Sequence, residues 1–306
     1  MRSNVVMIRI ARILCPVDFS EFSRRAVRHA VTMAHSYDAR LTVLHVLAAV
    51  PAVEVPPIPL TAADRDRIVK EMRQLVGEVP AGPPIEYTVR EARDVRREIL
   101  DHIEMLQADL LVLGSHGRTG FEKLLLGSVA EHVIRKASCP VMVVPCAAAA
   151  DHVGQVHYGS ILCPVDFSAR SVEALAFAAS IARETGAELT VMHVIEMPPE
   201  LREHYPAVAD VDIERLHAAA REQSVRRLRD LVAATAGSVR AVDIVVREGA
   251  AYRHILSLAA EQGIDLIVMG VQGRGAVDLV VFGSNTSRVI RAATCPVLTI
   301  RPRGGG

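Results

Sequence analysis

The chain carries nearly the same sequence twice. Residues 13–20 read ILCPVDFS, and residues 161–168 repeat all eight letters. DLLVLGSHG at 109–117 is matched by DLIVMGVQG at 265–273. In each copy nine residues then separate the last glycine from a Gly-Ser pair, Gly127-Ser128 and Gly283-Ser284. A period this long, far above the ~20–50 residues of stacked repeats, means two copies of one domain and not a solenoid. For 306 residues the domains are expected at 1–150 and 151–306. The copies diverge most between Leu47 and Asp109, in a Pro-rich connection and the helix after it. The segment from Cys146 to His157 has no counterpart and reads as the linker.

Composition excludes several classes of function. Half the residues are hydrophobic and 23% are charged, enough for each half to bury an ordinary core. The 35 basic and 35 acidic residues cancel, and five Tyr, six Phe and no Trp leave few stacking platforms. No nucleic-acid partner is therefore expected. The amino-terminal segment is interrupted by arginine before a signal-length apolar run develops, and no run of eighteen apolar residues occurs, so no membrane partner and a cytoplasmic location are expected. Of the five cysteines, Cys15 matches Cys163 and Cys139 matches Cys295. An odd number without C-x-x-C spacing reads as small buried hydrophobes rather than disulfides or a metal site.

The apolar pattern alternates strand and helix. A strand within Ile10–Val17 leads through Ser20, a plausible N-cap, to a helix over 21–37. Strands follow at 41–46, 84–90, 109–114 and 141–144, with helices at about 61–76, 94–107 and after Gly127-Ser128. The strands are too uniformly apolar to face water. The expected fold class is α/β, two repeated doubly wound parallel-sheet domains of Rossmann-like type. In such sheets the ligand crevice lies beyond the carboxyl ends of the strands, where strand order reverses. Two loops per half fall there, provided that strands one and four are neighbours.

The residue types in those loops suit a phosphate. Glycines at 114 and 117, and at 270 and 273, are expected to allow positive φ and close approach of backbone N–H groups to an anion. Gly127-Ser128 and Gly283-Ser284 each open a helix, whose free N–H groups and dipole favour negative charge. Asp18 and Asp166 follow the first strand of each copy, where a carboxylate can accept from ribose hydroxyls. The plainer readings are turn-forming glycines and aspartates that complement the next helix N-terminus. His45 and His193 read as satisfied core or rim histidines. His116 has Gln272 as its counterpart in the other copy, which argues against a shared catalytic imidazole. Between the second glycine and Gly-Ser, the first copy carries Arg118, Glu122 and Lys123, a sum of +1, and the second Arg274 and Asp278, a sum of zero.

VDFS after the first strand, LHV at the second, and GSHGRTG followed by Gly127-Ser128 resemble the universal stress protein family, in its ATP-binding branch. The resemblance runs through both halves, so the chain looks like a tandem member. It implies that adenine packs by Pro16, Val17 and Val46 in the first half and by Pro164, Val165 and Val194 in the second. It implies ribose contacts at Asp18 and Asp166, with phosphates held by Gly114, Gly117, Arg118, Gly127 and Ser128, and by Gly270, Gly273, Arg274, Gly283 and Ser284. The expected cofactor is ATP, with Mg. Two departures stand out: Ala130 lies opposite Thr286 and Ala92 opposite Gly249.

The last strands, VMVV at 141–144 and VLTI at 297–300, would be open apolar edges, an aggregation hazard unless paired. Pairing them makes an intrachain pseudo-dimer, with a homodimer as a further option. The expected function is an ATP-binding regulatory stress-response protein with an unidentified regulatory protein partner. An ATP-hydrolysing enzyme and an interaction module with vestigial sites are the alternatives. The three lysines, Lys70, Lys123 and Lys136, do not follow a glycine, so there is no G-K-[ST] phosphate loop, and no catalytic residue is assigned.

Overall fold

The computed structural model describes residues 8–48, 60–79, 82–117, 126–145, 156–196, 210–271 and 283–301. The first repeat runs β1 (Arg12–Val17), α1 (Glu21–Tyr37), β2 (Arg40–Ala48), α2 (Ala62–Val76), β3 (Ile85–Ala92), α3 (Val95–Leu106), β4 (Leu110–Gly114), α4 (Ser128–Lys136) and β5 (Val141–Val144). The second runs β6 (Ser160–Pro164), α5 (Ala169–Thr185), β7 (Glu188–Ile195), α6 (Asp210–Thr235), β8 (Val242–Glu248), α7 (Ala251–Glu261), β9 (Leu266–Gly270), α8 (Ser284–Ala292) and β10 (Val297–Ile300).

The helix ends follow from local chemistry. Ser20 caps α1, its hydroxyl oxygen accepting from the Ser23 N–H at 3.2 Å. Thr61 and Asp64 close a reciprocal capping box on α2, and the Asp94 carboxylate accepts from the Arg96 N–H on α3. Asp38 and Gln107 end α1 and α3 in the left-handed region.

The described residues pack as two units, one holding 9–157 with 290–301 and the other residue 8, 158–271 and 283–289. In the first unit the strand order is β3-β2-β1-β4-β5-β10. The chain steps from β1 outward to β3 and then returns to place β4 on the other side of β1, through Ile13 opposite Leu110 and Leu14 opposite Leu111. That reversal is the switch point anticipated from the sequence. Among the helices α1 packs with α2 and α3 with α4, as expected when a parallel sheet is covered on both faces. The second unit repeats the arrangement as β9-β6-β7-β8, all parallel. The strands are the core: Leu14, Cys15, Val43, Leu44 and Leu111 are fully buried, as are Leu162, Cys163, Val191 and Ile267.

β10, the last strand of the second repeat, packs in the first unit. It lies antiparallel to β5, with Val297 opposite Val143, Leu298 opposite Met142 and Thr299 opposite Val141. The apolar edge of β5 is thereby covered, as the pseudo-dimer expectation requires. Among the described residues Cys15, Cys139, Cys163 and Cys295 are buried. Burial pushes the Cys15 and Cys163 thiols far up, which leaves them as inert hydrophobes. No described helix is long and apolar enough to cross a membrane.

Candidate functional site

In each unit the carboxyl end of the first strand is organised by one small network. Asp18 follows β1, and its Oδ1 accepts from the Ser20 N–H at 3.0 Å and from the Ser20 hydroxyl at 2.6 Å. Asp166 does the same with Ser168 at the same distances. Ser20 and Ser168 in turn cap α1 and α5, so each aspartate supports a helix N-terminus through one oxygen. The other oxygen of Asp18 lies against Gly117: a Cβ on residue 117 would stand 2.7 Å from Asp18 Oδ2. The loop after β1 and the loop after β4 therefore meet at these two residues.

Between aspartate and serine stands a strained phenylalanine. Phe19 and Phe167 hold φ of 63° and 64°, a region that a bulky side chain occupies at a cost of about 1–3 kcal/mol. The Phe19 ring packs at 4.7 Å from the His45 ring, and Phe167 at 4.5 Å from His193. His45 Nδ1 lies 2.7 Å from the Val17 carbonyl oxygen, and His193 Nδ1 lies 2.7 Å from that of Val165. A carbonyl only accepts, so both imidazoles carry their proton on Nδ1 and tie the end of β2 or β7 to the end of the neighbouring strand. Sequence reasoning placed these histidines as satisfied core groups, and they are. It missed the phenylalanines, although the doubled VDFS was the available signal.

Positive φ, expected of these glycines, is not what they supply. Gly114 and Gly117 do not have positive φ, and neither does Gly270. Gly114 is small because helix α1 passes over it; a Cβ there would lie 2.8 Å from Phe22 Cβ and 2.9 Å from Phe22 backbone atoms. Gly270 meets Arg170 in the same way at 3.2–3.3 Å. These two glycines are helix-packing positions. The Gly127 N–H donates to Ser115 O at 2.8 Å and the Gly283 N–H to Val271 O at 2.9 Å, which pins the start of the following helix to the end of β4 or β9.

Helix α4 then begins without a side-chain cap, unlike α1, α2 and α3. Its first-turn N–H groups and the exposed Ser128 hydroxyl stand at the carboxyl end of β4, beside the Asp18–Gly117 contact. Pro16, Val17 and Val46 line the ends of β1 and β2, with Pro164, Val165 and Val194 equivalent in the second unit. His116 adds a polar feature to the first site. Its Nδ1 lies 3.0 Å from Ser115 Oγ, its Nε2 is buried with no hydrogen-bond partner among the described residues, and burial lowers its pKa. Thr286, 3% exposed, donates its hydroxyl to Gly270 O at 3.0 Å, so it offers nothing to a ligand that Ala130 lacks. Arg118, Gly273 and Arg274 lie outside the described residues. Among the described residues no cluster of His, Cys, Asp or Glu could hold a metal ion. A cleft of about 740 Å³ lined by Arg12, Arg40 and Glu86 lies at the amino ends of β1 to β3, the opposite end from Asp18.

The model of the universal stress protein family matches residues 9–145 and again 157–301. The chain belongs to the universal stress protein family. A universal stress protein of Mycolicibacterium smegmatis is 29% identical over 305 residues, covering 95% of this chain and 97% of the relative. The crystal structure of a universal stress protein from Archaeoglobus fulgidus superposes with a TM-score of 0.65 at 22% identity, covering 96% of this chain and 97% of that one, which shows a shared fold. A further family structure, in complex with cAMP, covers 47% of this chain and 98% of its own at 21% identity and a TM-score of 0.34. This universal stress protein is therefore a tandem member, with both family repeats in one chain.

Proposed function

We propose that this universal stress protein binds one adenine nucleotide in each repeat, ATP foremost, and acts as a cytoplasmic regulatory protein whose shape or partners respond to nucleotide. The observation that carries this is the capping pattern of the first unit. Three of its helices satisfy their N-termini with their own side chains, whereas α4, which starts where the strand order reverses, has no side-chain cap among the described residues. A helix N-terminus of this kind, next to a glycine that no Cβ could replace without moving Asp18, suits a phosphate group. The buried Nε2 of His116 is a further polar group left for a ligand.

In this reading Asp18 and Asp166 accept from the ribose, and the strand-end residues Pro16, Val17 and Val46, with Pro164, Val165 and Val194, pack against adenine. Gly117, Gly127 and Ser128 receive the phosphates in the first repeat, and Gly273, Gly283 and Ser284 in the second; Arg118 and Arg274 add positive charge. Any Mg²⁺ arrives with the nucleotide, held by its phosphates. No residue near the phosphates is assigned as a base for water, so the role proposed is binding, with hydrolysis slow at most. Native mass spectrometry of the purified chain tests the reading. One or two adenine nucleotides per chain support it, whereas a folded chain that takes none, even with added ATP, makes the loops vestigial and the protein an interaction module.

A further inference from the structure

The two repeats differ at a place the glycine pattern does not cover. Glu196 follows β7, two residues beyond Val194, and is exposed. Its Oε1 accepts from the Ala251 N–H at 3.0 Å and from Asn285 Nδ2 at 3.3 Å. Ala251 is the first residue of α7, whose N-cap Ala250 supplies no side chain of its own for capping. Asn285 is the second residue of α8, directly after Ser284. One carboxylate thus links the end of the adenine-flanking strand to the first turn of the phosphate-facing helix. In the first repeat the matching positions are Ala48 and Val129, which carry no charge and no donor.

A cap for α7 would by itself explain the bond to Ala251. It does not explain why the same oxygen holds the Asn285 amide, a donor at the start of the helix that, in the proposed reading, takes phosphate. The nearest cation further along α8, Arg288, has its guanidinium carbon 4.6 Å from the centroid of the Tyr252 ring on α7. Fixed negative charge at the N-terminus of α8 opposes each added phosphate, because like charges at short range repel even when partly screened.

We infer that Glu196 makes the second site select against phosphate charge, so that it takes an adenosine monophosphate-type ligand in preference to ATP, while the first site takes ATP. The inference rests on the proposed nucleotide reading and assigns the two repeats different ligands. A protein with two identical ATP sites would report only ATP; one with this division would respond to the balance between triphosphate and monophosphate.

The test uses the full chain with one site blocked at a time, Gly117→Val leaving the second site and Gly273→Val leaving the first, each variant first shown to be folded by its melting transition. Calorimetric titrations with ATP and with AMP are compared. The second site is expected to bind AMP at least as tightly as ATP, and the first to prefer ATP. In the Gly117→Val background, Glu196→Gln keeps an acceptor for Ala251 while removing the charge. It should tighten ATP by roughly three- to tenfold, less at high salt, and change AMP by less than about twofold. Glu196→Ala, the residue of the first repeat, should do the same. Equal effects of Glu196→Gln on ATP and AMP, or the same ATP-to-AMP preference at both sites, overturns the inference. A second site that binds neither ligand while the first binds ATP also overturns it. Failure of both sites to bind any nucleotide instead sinks the proposed function itself.

Discussion

Asp18 and Gly117 touch: the space that a side chain on residue 117 would need is filled by Asp18 Oδ2, 2.7 Å from the ideal Cβ position. Gly117→Ala must therefore displace a carboxylate whose other oxygen is already held by Ser20. Weaker nucleotide binding is expected, by about tenfold or more (~1.4 kcal/mol), because the ribose acceptor moves with the clash. In a double-mutant cycle with Asp18→Ala the two losses should be strongly non-additive. Additive losses measured by calorimetry would mean that the glycine acts on the phosphates alone.

The aspartates serve two ends at once, and their removal should show both. Asp18→Ala and Asp166→Ala each lose a charged acceptor, on the order of 1.5–3 kcal/mol of nucleotide affinity per site. Each also unties the serine that caps α1 or α5, at about 0.5–2 kcal/mol of stability. Melting without ligand separates the effects. A loss of stability with unchanged ATP affinity would leave the aspartates as capping groups only.

Turnover distinguishes binding from enzymatic chemistry. Incubated with ATP and Mg²⁺, the pure chain should release phosphate far more slowly than the ~10 s⁻¹ of a typical enzyme. Sustained multiple turnover that Gly117→Ala or Gly273→Ala abolishes would make the protein an ATP-hydrolysing enzyme.

The doubled ILCPVDFS and the glycine spacing were sufficient to read two α/β repeats and the switch point, because the buried inner strands β1, β4, β6 and β9 leave apolar runs, whereas β3 and β8 at the ends of the strand order are half-exposed and mix charged with apolar residues. The work of individual glycines was not legible. Whether a glycine serves φ or close approach depends on what passes over it, and only the fold brings Phe22 onto Gly114 and Asp18 onto Gly117. Nor was the role of Thr286 legible, because the partner of its hydroxyl, Gly270 O, lies sixteen residues away. Glu196 escaped notice for the same reason: its partners on α7 and α8 are far away in sequence.

His29 supplies a pH dependence. It is 4% exposed, and burial, with a smaller contribution from Arg28, lowers its pKa to about 4. The unfolded chain takes up this proton near 6.5, so between about 6.5 and 4 the unfolded state binds more protons, and stability falls as pH falls through that window. The second repeat has Phe177, 5% exposed, at the matching position. His29→Phe should accordingly reduce the loss of stability between pH 7 and 4.5 by about 2 kcal/mol, read from urea unfolding at the two pH values. An unchanged acid loss would show that another group governs this range.

The β5–β10 pairing makes the carboxyl-terminal strand a cover for the first unit. Val141–Val144 is buried on both faces, and its outer edge is taken by Val297, Leu298 and Thr299, with the Thr299 hydroxyl donating to Val141 O at 3.0 Å. Ending the chain at Pro296 would leave a four-residue apolar edge with free N–H and C=O groups, a template for pairing with another chain. The truncated protein should associate as concentration rises, seen as growth in mass by light scattering, while the full chain keeps a constant mass. Leu298→Lys tests the same edge without deletion, because a charge opposite Met142 disfavours the pairing, at about 1–3 kcal/mol for a buried polar group left unsatisfied. Should both variants keep the mass of the intact chain at all concentrations, β10 would not be what keeps the β5 edge from other chains.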